Sequence, residues 1–299
     1  MKKVAVFGQT YTVGAVEEIR DLLESLEQHK VVIFLEKNFY LALNKHNHLD
    51  KKYPIFLNFE DLNSSFDMFF SIGGDGTMLR AVTYVRDFNI PILGINTGRL
   101  GFLANVKTDE IKKSVNLLIA GSYTIQERTL LNIETSPPIK KFQELSFALN
   151  EITIARKNTT SMIGIETYLN GEYLTNYWSD GLIIATPTGS TGYSLSCNGP
   201  VVSPNSKNLV ITPIAPHNLN ARPMVIPDNT FIELKVKSRE KDYLISLDSR
   251  ITSVLKDTKI VIKKSPFTIK SVIPSNQSFL TTLRTKLLWG EDTRNESNF

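Results

Sequence analysis

Cysteine is almost missing from this sequence: Cys197 is the single one in 299 residues. That excludes a disulfide framework and any cysteine-based zinc site, and it fits a reducing compartment. Long apolar runs are missing too. None reaches the roughly 18 residues of a membrane span, and the basic, then apolar start at Met1 to Gly8 turns polar at Gln9, Thr10, Tyr11 and Thr12 before a secretion signal is complete. These absences predict a soluble cytoplasmic protein with no membrane partner. Charge of one sign is scarce: 34 Lys and Arg face 30 Asp and Glu, and the excess of +4 forms no block. This is too diffuse for a nucleic-acid groove, though it suits anionic small molecules. No G-x-x-x-x-G-K-[ST] occurs, and Gly8 and Gly14 are too far apart for G-x-G-x-x-G, so the Walker and Rossmann phosphate motifs are excluded. His29, His46 and His48 read as surface residues and only His217, in Pro216-His217-Asn218, has turn context. No Ser-His-Asp spacing or histidine metal cluster supports a hydrolase.

What is present is ordinary globular material, 41% hydrophobic, arranged in two textures. Up to residue 122, short apolar runs alternate with helical patterns. Residues 4–7, 31–35, Met68–Ile72 and 91–95 read as strands. Val16, Ile19, Leu22, Leu23 and Leu26 have helical spacing, residues 77–86 read as a helix with Leu79, Val82 and Val85 inward, and residues 111–120 as another. Such alternation predicts an open, Rossmann-like parallel sheet with helices on both faces. After residue 122 strands follow turns. Asn170-Gly171 between Ile163–Leu169 and residues 173–178 is a two-residue hairpin signal, and residues 182–185, 209–212, 243–247, 259–262 and 268–273 are further strands. The tail 278–289 regains helical spacing at Phe279, Leu283, Leu287 and Leu288. The expected division is therefore residues 1–122 with the tail 278–299 as an α/β domain, the tail helix packing back on it, and residues 123–277 as an all-β, sandwich-like domain.

Three clusters carry chemistry. Gly73-Gly74-Asp75-Gly76-Thr77 sits at the carboxyl end of a strand and opens a helix, where α/β sheets bind ligands and backbone N–H groups meet phosphates. Asp75 is the odd residue there. A carboxylate in an anion-binding turn suits a proton acceptor or a metal neighbour, and equally a helix N-cap in a structural turn. The second cluster runs from Asp180 through residues 182–185 into Thr186, Pro187, Thr188, Gly189, Ser190, Thr191, Gly192, Tyr193, Ser194, Leu195 and Ser196. Its six Ser and Thr hydroxyls and one tyrosine face can meet phosphate, ribose and base. The third is Asn150-Glu151, whose side chains would point to opposite faces of a regular strand unless a bulge re-aims one.

Together these segments resemble the NAD kinase family. Residues 73–77 resemble its G-G-D-G-[TN] motif, with Asn96-Thr97-Gly98-Arg99-Leu100-Gly101-Phe102-Leu103 following in order, then Asn150-Glu151, then residues 180–196 as D-G-x5-P-T-G-S-T-A-Y-S-L-S. Pro213-Ile214-Ala215-Pro216-His217, Arg222-Pro223 and the tail 283–290 are similar as well. The resemblance implies transfer of the γ-phosphoryl of ATP to the 2′-hydroxyl of the adenosine ribose of NAD, giving NADP, with a divalent ion such as Mg²⁺, in a homodimer or homotetramer. It implies Asp75 as proton acceptor and Gly76 as a close backbone contact, with Arg80 one turn later either meeting a phosphate or standing as an exposed helix arginine. It implies Asn150 and Glu151 on base and ribose, and Asp180, Thr191, Gly192, Tyr193, Ser194, Leu195 and Ser196 around the dinucleotide. Ala215 would reach a neighbouring subunit's site.

The sequence departs from the pattern at Gly192 for Ala, Asn198 for Gly, Trp178 for Arg, and Arg250 for Gln in Asp248-Ser249-Arg250, where Arg250 could change contacts to a substrate or product phosphate. A lipid or sugar kinase built on the same Gly-Gly-Asp-Gly turn would leave residues 180–196 unexplained and should show an apolar entry surface. A silent dinucleotide sensor would have no reason to keep Asp75.

Overall fold

In a computed structural model of the chain, residues 1–9, 15–45, 49, 51–98, 101–158 and 161–289 are described. The expectations for Thr10, Tyr11, Thr12, Gly14, His46, His48, Arg99, Leu100 and Gly290 lie outside the described residues. The chain forms two compact units, Met1–Gln126 with Ile269–Phe299, and Glu127–Thr268.

The first unit runs β1 (Lys3–Gly8), α1 (Val16–Gln28), β2 (Val32–Glu36), α2 (Lys37–Lys45), β3 (Ile55–Phe56), β4 (Met68–Ile72), α3 (Asp75–Val85), β5 (Ile92–Asn96), β6 (Val106–Lys107) and α4 (Ile111–Ile119). Strands pair in parallel in the order β5-β4-β1-β2-β3, with β6 beside β5. The strands are short and almost wholly apolar because both faces are covered. Ile19, Leu22, Leu23 and Leu26 of α1 and Val115 and Leu118 of α4 bury against Val4, Val6, Phe70, Leu93 and Ile95. Three expectations change. Helix α2 and strand β3 stand where the sequence pattern predicts no element: Phe39 and Leu43 of α2 are buried in the same core, and the buried Glu36 carboxylate accepts from the Phe39 N–H at 2.9 Å. Helix α3 starts two residues earlier than the apolar pattern suggests, so Asp75 lies in its first turn, and Met78, Ala81, Val82 and Val85 are buried rather than Leu79.

The second unit follows along β7 (Tyr123–Ser136), α5 (Lys140–Glu144), β8 (Phe147–Ala148), β9 (Glu151–Ala155), β10 (Ile163–Leu169), β11 (Glu172–Ser179), β12 (Gly181–Ala185), α6 (Tyr193–Ser196), β13 (Asn208–Ile214), β14 (Met224–Pro227), β15 (Ile232–Lys237), β16 (Asp242–Leu247), β17 (Arg250–Leu255) and β18 (Lys259–Pro274). One antiparallel sheet has the order β11-β10-β15-β18, the other β14-β13-β12-β9-β16-β17. Ile163, Ile165, Leu234 and Ile262 of the first meet Ile152, Ile154, Leu182, Ile184 and Ile211 of the second in a dry core, a β-sandwich. Asn170 (φ 52°) and Gly171 (φ 85°) make the expected hairpin turn. The two strands expected at 259–262 and 268–273 are one strand, β18: Ser265-Pro266 reads as punctuation, but Pro266 is exposed and continues the strand. Its end lies in the first unit, where Ser271 pairs with Ile92 in parallel. Helix α7 (Phe279–Leu287) also belongs to that unit, capped by the Ser278 hydroxyl accepting from the Thr281 N–H at 3.1 Å and laying Phe279 beside Phe102; Leu288, expected inward, is 60% exposed past its end.

Strand β12 positions the second cluster. Leu182 and Ile184 enter the sandwich core, while Ile183 and Ala185 form a small core on the opposite face with Val210, Cys197 and Val202. A strand apolar on both faces is therefore explained by residues 186–202 folding back over it.

Candidate active site

In the first unit, Gly73 leaves β4 at φ 144°, a conformation open to glycine, and a Cβ there would meet the Thr77 Oγ1 at 2.3 Å. Gly74, extended, is the N-cap residue, and Asp75 is the first residue of α3. The N-cap reading of Asp75 is thus corrected. Its carboxylate does not cap its own helix but accepts three backbone N–H groups from residues 102–104: Phe102 on Oδ2 at 2.9 Å, Leu103 and Ala104 on Oδ1 at 3.0 Å each. An ionised carboxylate offers about four lone-pair directions, so room for one more donor remains. Gly101 makes this possible, because a Cβ there would sit 1.8 Å from Oδ1. Buried Asn96 shapes the same loop, accepting from the Gly98 N–H at 2.7 Å and donating to the Ala104 carbonyl at 3.3 Å. Gly76 is exposed with open space around it, and the N–H groups of Asp75 and Gly76 have no helical carbonyl to bond. Arg80 is exposed on the second turn of α3.

In the second unit, three sequence-distant segments converge. Strand β9 begins at Glu151, so Asn150 is outside the pleat and the expected opposition of the two side chains does not arise. Both lie beside Gly192: a Cβ there would be 3.0 Å from the Glu151 Oε2 and 3.6 Å from the Asn150 Nδ2. The Asn150 Oδ1 and the Glu151 Oε2 are buried and have no hydrogen-bond partner among the described residues. Asp248, with φ 52° in the β16–β17 turn, holds the segment by accepting the N–H groups of Leu149 at 2.9 Å, Asn150 at 2.8 Å and Glu151 at 3.2 Å. Burial pushes the Glu151 carboxyl up to about 8, and the Asp248 charge adds to this while the Tyr193 N–H opposes it. Burial also raises Asp248, against the three N–H groups and Arg250.

Residues 186–199 form the third side. The Thr186 N–H donates to the Asn150 carbonyl at 2.9 Å and its hydroxyl to the Leu149 carbonyl at 2.6 Å. Gly189 lies so close that a Cβ would be 2.1 Å from the Asn150 carbonyl oxygen. Most of the hydroxyls expected to face a ligand instead build this turn. Ser190 bonds the Pro187 carbonyl and the Val202 N–H, Thr191 the Thr188 carbonyl, and fully buried Ser194 the Thr212 hydroxyl at 2.8 Å. The Ser194 carbonyl is engaged as well, accepting the N–H groups of Gly199 at 2.8 Å and Cys197 at 3.1 Å, so Ser194 supports the turn from inside; Leu195 is half-buried, while Tyr193 and Ser196 are exposed. Asp180 is half-buried and ion-paired with Arg156 at 2.9 Å, a partner that no local motif announces. Ala215 is exposed at φ 42°, and the His217 N–H donates to the carbonyl of exposed Trp178 at 2.8 Å. Arg250 donates to the carbonyls of Leu145, at 3.0 Å, and Phe147, which commits its guanidinium to strapping residues 145–147 rather than to an open phosphate site.

A glycine-rich turn opening a helix at the end of a parallel strand, joined in one chain to a β-sandwich with a polar amide and carboxyl waiting beside a hydroxyl-built turn, defines a nucleotide phosphotransferase. Residues 5–123 match the family model of the ATP-NAD kinase N-terminal domain and residues 149–274 that of the ATP-NAD kinase C-terminal domain. The chain belongs to the NAD kinase family. It is 55% identical to the NAD kinase of Flavobacterium psychrophilum over 98% of this chain and all of that one, and 52% identical to that of Christiangramia forsetii with the same coverage. Among solved structures, yeast NADH kinase complexed with NADH superposes with a TM-score of 0.84 at 23% identity, covering 98% of this chain and 89% of that one, a likeness of fold. An NAD kinase from Archaeoglobus fulgidus in complex with ATP superposes with a TM-score of 0.73 at 27% identity, covering 96% and 98%. The fold class, the kinase function and the enzyme class expected from the sequence are borne out.

Proposed function

We propose that this NAD kinase transfers the γ-phosphoryl of ATP to the 2′-hydroxyl of the adenosine ribose of NAD, giving NADP, with Asp75 as the proton acceptor. The observation that carries this reading is the Asp75 carboxylate, aimed by three backbone N–H groups with one lone-pair direction left for a hydroxyl donor. Phosphoryl transfer asks mainly for positioning and charge neutralisation. Asp75 orients and deprotonates the hydroxyl, the free N–H groups of α3 with Gly76 and Arg80 meet phosphate oxygens, and Asn150 and Glu151 take base and ribose. Asp180, Thr191, Gly192, Tyr193, Leu195 and Ser196 surround the dinucleotide, with Ser194 holding their turn from inside, and Arg250 supports it through residues 145–147.

Among the described residues no three His, Cys, Asp or Glu side chains are grouped as a metal cage. A divalent ion such as Mg²⁺ would take its oxygen ligands mainly from substrate phosphates and water, and Asp75 is the carboxylate of the glycine-rich turn that would face it. When bound it neutralises charge on the transferred group. The exposed loop at Ala215 suits a contact with a second copy, and a homodimer or homotetramer follows as part of this proposal; light scattering giving a single monomer at working concentration contradicts it. No described helix is long and apolar enough to cross a membrane, and the lone cysteine favours the cytoplasm.

The test is direct. Purified protein with NAD, ATP and Mg²⁺ should yield NADP, read by an NADP-specific dehydrogenase. No NADP above a heat-killed control overturns the reading.

A further inference from the structure

Strand β7 carries a cation with no counter-charge among the described residues. Arg128 is 6% exposed, and its Nε is buried without a hydrogen-bond partner. It shares a strand face with Leu130 and Asn132, while Leu131 and Ile133 on the other face enter the sandwich core. The guanidinium is therefore outside that core. Carboxylates along the strand do not answer it: Glu134 pairs with Lys263 at 2.5 Å, and Glu127 is exposed. Burial pulls the guanidinium down to about 10, with no charged neighbour acting on it. Nε is the one guanidinium nitrogen sealed from water without a partner. Among the described residues Arg128 makes no hydrogen bond or ion pair, so its two terminal nitrogens keep the residual access to solvent.

A buried, uncompensated guanidinium costs stability, and replacement by an apolar group of similar size is commonly neutral or stabilising. Its planar fork matches the oxygens of a phosphate. We infer that Arg128 is an anion-binding residue that takes a phosphate-type oxyanion on its terminal nitrogens. A residue kept at a cost to the free protein recovers that cost when a ligand arrives. The identity of the anion as a substrate phosphate, from the triphosphate or from the dinucleotide, rests on the kinase reading. The existence of the anion site does not.

The experiment compares wild type, Arg128→Met and Arg128→Lys. Thermal melting is followed with and without inorganic phosphate at constant ionic strength, and KM is measured separately for ATP and NAD. Wild type should gain several degrees from phosphate. Arg128→Met should melt at or above wild type without phosphate, lose the phosphate response, and raise KM for one substrate about 10- to 100-fold, as for a lost charge-assisted hydrogen bond; the substrate affected names the source. Arg128→Lys should keep its melting temperature and show a smaller rise for the same substrate. If Arg128→Met does not fold, the lysine variant decides alone. A phosphate response and KM values unchanged from wild type in the folded variants overturn the inference, as does an Arg128→Met protein that melts lower with both KM values intact. The phosphate arm needs no turnover, so its result stands apart from any failure of the kinase assay.

Discussion

Among the acidic residues at the motifs, Asp75 and Glu151 are treated in opposite ways. Asp75 has its charge answered before any substrate arrives, by the N–H groups of residues 102, 103 and 104. Glu151 has its backbone fixed by Asp248, but its Oε2 is buried without a partner and its carboxyl is pushed up to about 8. A carboxylate that must stand in one orientation for proton transfer is preorganised, at no cost to the reacting complex. A group that recognises a ligand is left unsatisfied, so that the ligand's donors complete it. On the proposed reading, the first unit holds its carboxylate in one orientation for proton transfer and the second keeps a carboxyl oxygen for a ligand's donors.

The largest effect should come from Asp75→Asn. The asparagine nitrogen would face one of three N–H donors, so we expect both a lower melting temperature and a kcat loss on the order of 10²–10⁴-fold for a missing acid–base group. Wild-type turnover in that variant would return residues 73–77 to the status of a structural turn. Gly101→Ala tests the same orientation without touching the carboxylate. Its Cβ would sit 1.8 Å from Oδ1, and the displaced Asp75 should cost kcat on the order of 10²-fold while NAD affinity changes little; single-turnover rates and calorimetric binding separate the two.

In the second unit the losses should fall on binding. Asp180→Ala and Tyr193→Ala should each weaken NAD binding by about 1–3 kcal/mol, for a lost charged hydrogen bond and a lost stacking face, with the KM for ATP moving less. Equal losses for both substrates would assign this turn differently. The smallest effect is a slope. Because the folded Glu151 holds its proton up to about pH 8 and an unfolded glutamate releases it near 4.5, the native state binds more protons across that window. Stability should fall as pH rises through it. Glu151→Gln should flatten melting temperature against pH between those limits, leaving a residual acid-side slope of the same sign from the raised Asp248. An unchanged slope would mean that Glu151 is charged and solvated in the folded protein.

The sequence by itself determined much of this protein. Period and apolar runs define the parallel sheet and the sandwich, since a buried face must repeat at 3.6 or 2 residues whatever surrounds it. Asn170-Gly171 specifies its own turn, and the ordered motifs identify the family. Tertiary structure decided which atoms of those motifs are free. Six hydroxyls between residues 186 and 196 look alike in sequence, yet Ser190 and Ser194 are consumed by Val202 and Thr212, residues whose proximity no local pattern encodes. Asp75 looks like a cap until residues 102–104 fold onto it. Arg250 looks like a phosphate ligand until the carbonyls of Leu145 and Phe147 claim it, and Arg128 looks like any strand arginine until its burial without a partner is seen. Periodicity is a property of neighbours along the chain, whereas hydrogen-bond satisfaction is settled here by groups 12 to 105 residues apart.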